Sequence, residues 1–328
     1  VLRRAGVRVL GMVAVLLVVS ALTYAVFFLL PSDPAQLSCG KPCTPQNLAL
    51  ARAFMGFDKP VWQQYLAFLG GIVNGRDYGS GAAAIHCAAP CFGYSFQLGA
   101  PVTQLIAGRV PVTFSIALGA AVLWLVAGVA AGTGAAVRRG TALDRTAMAF
   151  SVLGVSTPTY LVGLLGILLL GFTLDVVPVN GYVPLTENPV QWLWHLVLPW
   201  CVLAFVSAAG YARLTRAQML EVLGEDYIRT ARAKGLRERR VIGRHALRNV
   251  LIPVVTLFGL DLGQLLGGAV ITERVFSMPG LGALLIDAVQ NLDLPLIVGV
   301  TLFSAFLIIV ANAAVDLLYG VIDPRVTP

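Results

Sequence analysis

The sequence predicts an all-α polytopic membrane protein with six transmembrane helices and both termini on the inner side. Three observations lead there. Of the 328 residues, 58% are hydrophobic and only 12% charged, with mean hydropathy +0.82; soluble domains carry roughly twice that charged share. The apolar residues fall in unbroken blocks, where a soluble core would space them with a helical or strand period. The basic residues gather on alternate sides of those blocks.

The blocks can be taken in order. Val9–Leu30 follows Arg3, Arg4 and Arg8. Its apolar run exceeds a signal-peptide core and ends in Leu-Leu-Pro without a small-residue cleavage site, so it is expected to remain as the first helix. Pro31 to about Arg109 then forms a large outer loop, in which Thr44–Phe54 and Val61–Val73 have the apolar spacing of short helices packed on the bundle. Val112–Val137 is the second span, and Thr146–Leu174 the third, long enough to require tilt or an interfacial end. Val190–Ala212 is the fourth. After an inner segment from about Arg213 to Arg248, Val250–Thr272 is the fifth, interrupted only by Asp261. Glu273–Asp293 lies outside and holds Pro279–Leu292, which is weakly amphipathic and too short to cross. Leu294–Val315 closes the set. Each block has 22 residues or more, enough for about 30 Å of hydrocarbon at about 1.5 Å per residue. Glycine and proline within them (Gly119, Gly128, Pro158, Pro199) are tolerated in membrane bundles. The expected organisation is helix 1 over residues 1–30, the outer loop over 31–109, and a five-helix domain over 110–328 with an inner loop at about 213–250.

The formal charge of +7 reflects orientation, so no nucleic-acid partner is expected. With the N-terminus inside, six spans place Arg3, Arg4, Arg8, Arg138, Arg139, Arg145, ten basic groups between Arg213 and Arg248, and Arg325 on the inner side. Such a basic surface also suits anionic membrane lipid.

Four of the five cysteines fall in the outer loop as Cys39/Cys43 and Cys87/Cys91. An oxidising outer compartment permits disulfides, with three pairings open. Free thiols remain an alternative, and a metal site with His86 is a weaker one. Cys201 reads as a small packing residue within a span. Asp261 is costly in a membrane span and is expected to face a cavity or a partner. Gln264 lies one turn on, and the two are candidate pathway-lining residues, the alternative being a structural hydrogen bond to a partner. His195 and Asn312 read as contacts between helices. Asp316 and Asp323 are expected to pair with arginines.

The most informative stretch is Gly224–Pro253. Asp226 suits a helix N-cap, Tyr227–Lys234 a two-turn helix, and Gly235 the left-handed residue that ends it. A second helix is expected from Arg237 toward Pro253. This helix–glycine–helix elbow carries the apolar track Tyr227, Ile228, Ala231 and Leu236 among many cations. A lipid anchor explains the charge alone; a docking surface for an inner partner explains the track and the glycine as well.

The elbow resembles the coupling ("EAA") loop of ATP-binding-cassette importer permeases in its dipeptide/oligopeptide form. Asp58-Lys-Pro60 with Gln64-Tyr65, Ser156-Thr-Pro158, Arg213-Leu-Thr-Arg216, Glu273 to Gly282, and Asp316 to Arg325 carry the resemblance along the whole chain. It departs from the general motif at Arg229-Thr-Ala231, where the eponymous acid is absent, and in its two Cys-x3-Cys pairs. The resemblance implies a type I importer permease fold and the B-type subunit of a peptide importer in a bacterial inner membrane. It further implies Tyr227, Arg229, Ala231, Lys234, Gly235 and Leu236 as ATPase-coupling residues. Phe276, Pro279, Gly280 and Gly282 become an outer gate-proximal element, whose glycines suit a tight bend.

No Gly-x4-Gly-Lys-[Ser/Thr] occurs. The chain is therefore expected to be non-catalytic and to bind no cofactor, with ATP and Mg2+ used by two ATP-binding partner subunits. A second permease subunit and an extracytoplasmic peptide-binding protein complete the implied partners. The alternatives are an ATP-independent secondary transporter or channel, or the same fold carrying nickel, haem or another receptor-delivered solute. A membrane enzyme fits poorly, since His86, His195 and His245 fall in different compartments.

Overall fold

The computed structural model describes residues 2–29, 35, 43–56, 58–79 and 84–322. Cys39, Asp323 and Arg325 lie outside the described residues, as do the side chains of Arg3, Arg4, Arg8 and Asp316. The chain forms two compact units, one from Val1–Pro111 with Gly280–Ile309, the other from Val112–Pro279 with Val310–Pro328.

In the first unit, α1 (Leu2–Leu29) is followed by α2 (Pro45–Met55) and α3 (Val61–Asn74). Thr44 caps α2 by accepting from the Asn47 amide at 3.2 Å, and Gly56 ends it with φ +71°. The apolar face of α3 packs Phe68, Tyr65, Leu69 and Ile72 against Val19 and Tyr24 of α1 and against Val298 and Leu302. Gln64 donates to the Lys59 carbonyl at 2.7 Å, and the Tyr65 hydroxyl lies 2.8 Å from that of Ser20. The Asp58–Tyr65 motif therefore fastens the outer segment to the first helix.

Four short strands were not anticipated: β1 (Arg76–Tyr78) pairs antiparallel with β2 (Ile85–Cys87), and β3 (Tyr94–Ser95) with β4 (Ala100–Pro101). With two or three residues each, they carry no periodicity to read. A Cys87–Cys91 disulfide, with Cα atoms 5.6 Å apart, is buried with Tyr78 and Tyr94. Cys43 is also disulfide-bonded.

Helix α4 (Val102–Val137) begins seven residues before the expected outer-loop boundary. In the second unit the expected third span is two helices, α5 (Ala142–Ser156) and α6 (Thr159–Thr173), bent by 103°. The cause is local. Pro158 restricts the residue before it to extended backbone, and Thr157 sits at φ −94°, ψ 126°. Pro158 therefore makes a break where a tolerated in-span proline was expected. Helix α7 (Pro189–Leu223) runs on through Arg213–Arg216, which the sequence placed in a loop. Then come α8 (Asp226–Ala233), α9 (Glu238–Leu266) and α10 (Val270–Val275). Pro253 lies inside α9, not at its start. Helix α11 (Leu281–Gln290) belongs to the first unit, and α12 (Leu294–Ile322), the last helix among the described residues, starts in the first unit and ends in the second.

Among the described residues, α4, α7, α9 and Leu294–Val315 of α12 are each long and apolar enough to cross a bilayer, and the bent pair α5–α6 counts as a fifth candidate. In α1 the described apolar stretch is Leu10–Val26. The second unit closes through small residues. A Cβ on Gly132 would meet the Ala212 carbonyl oxygen at 2.5 Å, and one on Gly259 would meet Val315 at 2.2 Å. Backbones approach this closely only where a side chain is missing.

Candidate coupling elbow and intramembrane cavity

Helix α8 starts one residue before the sequence placed it. Glu225 occupies the N-cap position without a side-chain hydrogen bond, and Asp226 is the first helical residue. The Thr230 hydroxyl donates to the Asp226 carbonyl at 2.9 Å. Gly235 ends the turn at φ +74°, its amide donating to the Arg232 carbonyl at 2.9 Å. Nothing lies within 4 Å of the position its Cβ would take. Conformation, not crowding, therefore selects glycine there.

The two faces of α8 differ. Ile228 is fully buried and Ala231 nearly so, packed with Ala136 of α4, Met219 of α7, and Val241, Ala246 and Val250 of α9; Leu236 packs against the same cluster half-buried. One isoleucine thus contacts a cluster drawn from three long helices. The opposite face exposes Arg229, Lys234 and, at 41%, Tyr227. The Tyr227 hydroxyl accepts from the Asn249 amide at 2.7 Å, and Arg232 holds Glu238 across the glycine at 2.7 and 3.2 Å. That carboxylate raises the already high pKa of the Arg232 guanidinium.

A residue missed by sequence reasoning anchors the base of this assembly. Asp144, in the first turn of α5, accepts from Arg216 Nε at 2.6 Å and Arg216 Nη2 at 2.9 Å, and from the Gly140 amide at 2.9 Å. Arg216 had been singled out within its motif. Asp144 was legible only as the single acid between Asp77 and Asp175.

Asp261 and Gln264 line a cavity of about 760 Å³ with Tyr211, Ser207, Gly210 and Thr159. The Tyr211 hydroxyl donates to Asp261 Oδ2 at 2.7 Å, so Asp261 is tied to this chain's own α7. The helix around it ends earlier than expected: α9 stops at Leu266 and Gly268 turns away at φ +136°, so Asp261 sits five residues from a helix end. His195 Nδ1 is bonded at 2.8 Å to the carbonyl of Gln191 on its own helix, not across to another.

Phe276 is buried at 1% exposure, and its carbonyl accepts from the Gly181 amide at 3.3 Å. The left-handed residue of this segment is Ser277, at φ +51°. Gly280 is extended and Gly282 lies inside α11, so the bend does not use the glycines as expected; Pro279 lies between. Among the described residues no group of three or more His, Cys, Asp or Glu is placed to hold a metal ion.

The sequence matches two family models, the binding-protein-dependent transport system inner membrane component over residues 110–328 and the N-terminal membrane component of the same systems over residues 1–117. The chain belongs to this family. A putative peptide transport system permease protein of Brucella abortus is 39% identical over 319 residues, covering 97% of each chain. The dipeptide transport system permease protein DppB of Escherichia coli K12 is 38% identical over 350 residues, covering 99% of this chain and 98% of its own. A structure of the MetNI methionine ABC transporter in inward-facing conformations superposes with a TM-score of 0.53 at 18% identity, covering 67% of this chain and 97% of that one. This inner membrane component therefore has the importer permease fold, and its mostly helical, apolar architecture is that of a membrane permease.

Proposed function

We propose that this chain is one of two membrane subunits of an ATP-driven peptide importer, receiving ATPase motion through the α8 elbow. The observation that carries the reading is the two-sided fastening of α8: Ile228 and Ala231 root it in a cluster drawn from three long helices, while Tyr227, Arg229 and Lys234 remain open to a partner. A lipid anchor needs only the cations; a push rod needs the root. The peptide cargo follows from the names of the relatives at 38–39% identity.

In this reading six spans run from an inner N-terminus to an inner C-terminus, and ATP with Mg2+ is consumed by two separate inner subunits. A second permease subunit forms the other half of the pathway, and an external receptor delivers the peptide. The elbow then biases a two-state bundle between inward- and outward-facing forms. The Cys43 and Cys87–Cys91 disulfides brace the outer segment on the receptor side, and Phe276, Pro279, Gly280 and Gly282 lie near the outer gate.

The test is a reconstituted complex carrying Gly235→Val. A β-branched residue at φ +74° is strained by roughly 1–2 kcal/mol, which displaces the elbow without adding a clash. ATP hydrolysis is expected to continue while uptake per ATP falls about tenfold. Unchanged coupling, or failure of the wild-type chain to co-purify with ATPase subunits, overturns the assignment.

A further inference from the structure

The cavity beside Asp261 contains an uncompensated demand for positive charge. Its lining residues include no lysine, arginine or histidine, and among the described residues Asp261 makes no ion pair. Among the described residues its carboxylate accepts a hydrogen bond from the neutral Tyr211 hydroxyl, on Oδ2. A carboxylate in an apolar bundle is stable only when its charge is met by a partner or removed by a proton.

The space is also informative. A volume of about 760 Å³ far exceeds a bare ion and falls in the usual range of small organic ligand sites. Gln264, Ser207 and Thr159 supply neutral donors and acceptors around it, and Val206, Leu257 and Leu265 supply apolar wall. The arrangement is one charged anchor, a few neutral polar groups and an apolar remainder.

We propose that this cavity is a binding station for the ammonium group of a small organic solute, with Asp261 as the countercharge and Tyr211 as the residue that orients the carboxylate. Resting on the importer reading above, the solute is a peptide carrying a free amino terminus, held by the permease itself after release from the receptor. Asp261 is the binding residue; Tyr211 is a positioning residue.

Equilibrium binding of radiolabelled dialanine and N-acetyl-dialanine to the purified, receptor-free transporter complex tests this. The two probes differ chiefly in the amino-terminal charge, and omitting the receptor removes its own selectivity. Wild type is expected to favour dialanine by about tenfold or more, the size of one good charge-assisted contact. Asp261→Asn preserves shape and the Tyr211 bond and is expected to abolish that preference. Tyr211→Phe leaves the charge in place and is expected to weaken dialanine binding only a few-fold while keeping the preference. Equal preference in Asp261→Asn, equal binding of both probes to wild type, or no measurable dialanine binding to wild type overturns the proposal. ATP-driven uptake of dialanine by the complete wild-type system with receptor reports separately on the importer reading.

Discussion

Arg216 grips Asp144 with two parallel hydrogen bonds, Nε to Oδ1 at 2.6 Å and Nη2 to Oδ2 at 2.9 Å, across 72 residues of sequence. The same carboxylate accepts the Gly140 amide, so one acid fixes the turn before α5 to the final third of α7. Bidentate geometry makes this pair specific for arginine. Asp144→Asn is expected to lower the thermal midpoint of the detergent-purified chain, and Arg216→Lys to do so nearly as much despite keeping the charge. Restoring stability with the swapped pair Asp144→Arg/Arg216→Asp in a thermal-shift series would identify the contact itself as the cause. Equal midpoints for wild type and Arg216→Lys would show that charge alone matters.

Ile228 is the root of the elbow. Cutting it to alanine removes two methyl groups and a methylene from a fully buried site, and such core truncations cost about 2–5 kcal/mol. Ile228→Val should cost about 0.5–1.5 kcal/mol. Because α8 is short and held by few residues, the loss is expected to appear as local opening before global unfolding. Hydrogen exchange of the 226–236 amides should therefore accelerate in Ile228→Ala while the α7 amides stay protected. Uniform acceleration across both would contradict a separately rooted elbow.

What could be read from the sequence divides along a physical line. The elbow was legible because its signals are local: helix formers, a glycine with a positive φ, and helix formers again. The apolar lengths of α4, α7 and α12 were legible because hydropathy is additive along the chain. The 103° turn between α5 and α6 was not, because hydropathy is blind to direction, although Ser156-Thr-Pro158 stood out as a motif. The partners of Asp144 and Asp261 were also hidden, since Arg216 and Tyr211 lie 72 and 50 residues away and no local pattern encodes such a distance. The early end of α9 was invisible for a related reason: Gly267 and Gly268 are equally at home inside a membrane helix and after one.

Two glycines of α4 separate close approach from tolerance. A Cβ on Gly132 would lie 2.5 Å from the Ala212 carbonyl oxygen and 2.7 Å from Thr215 Cβ, mostly backbone that cannot give way. Gly132→Ala should therefore cost about 1–3 kcal/mol through overpacking. Two residues on, the nearest atom to a Cβ on Gly134 is Leu143 Cδ2 at 3.9 Å, an ordinary contact. Gly134→Ala should gain up to about 1 kcal/mol from helix propensity. Thermal midpoints moving in opposite directions would bear this out; a loss in both would place the tight interface along more of the helix than the Gly132 contacts define.

Asp293 gives the first unit a pH dependence with a definite sign. It is 3% exposed, accepts a hydrogen bond from Ser95 Oγ, and lies at the start of α12 with the Leu296 amide 3.4 Å from Oδ1. Burial pushes its carboxyl above the ordinary value, outweighing the lowering effect of the two hydrogen bonds. The folded chain then holds this proton over a pH range in which the unfolded chain has already released it. The native state binds more protons there, so stability falls as pH rises. The contribution is full below the unfolded carboxylate pKa of about 3.9 and is lost as pH climbs through the higher folded value. Asp293→Asn mimics the protonated acid and cannot ionise, so the variant's thermal midpoint should vary less with pH between about 4 and 8. Its advantage over wild type should grow toward the alkaline end. A wild-type midpoint that instead rises relative to the variant with pH would mean that the ionised carboxylate, held by Ser95 and the α12 amide, is the favoured form.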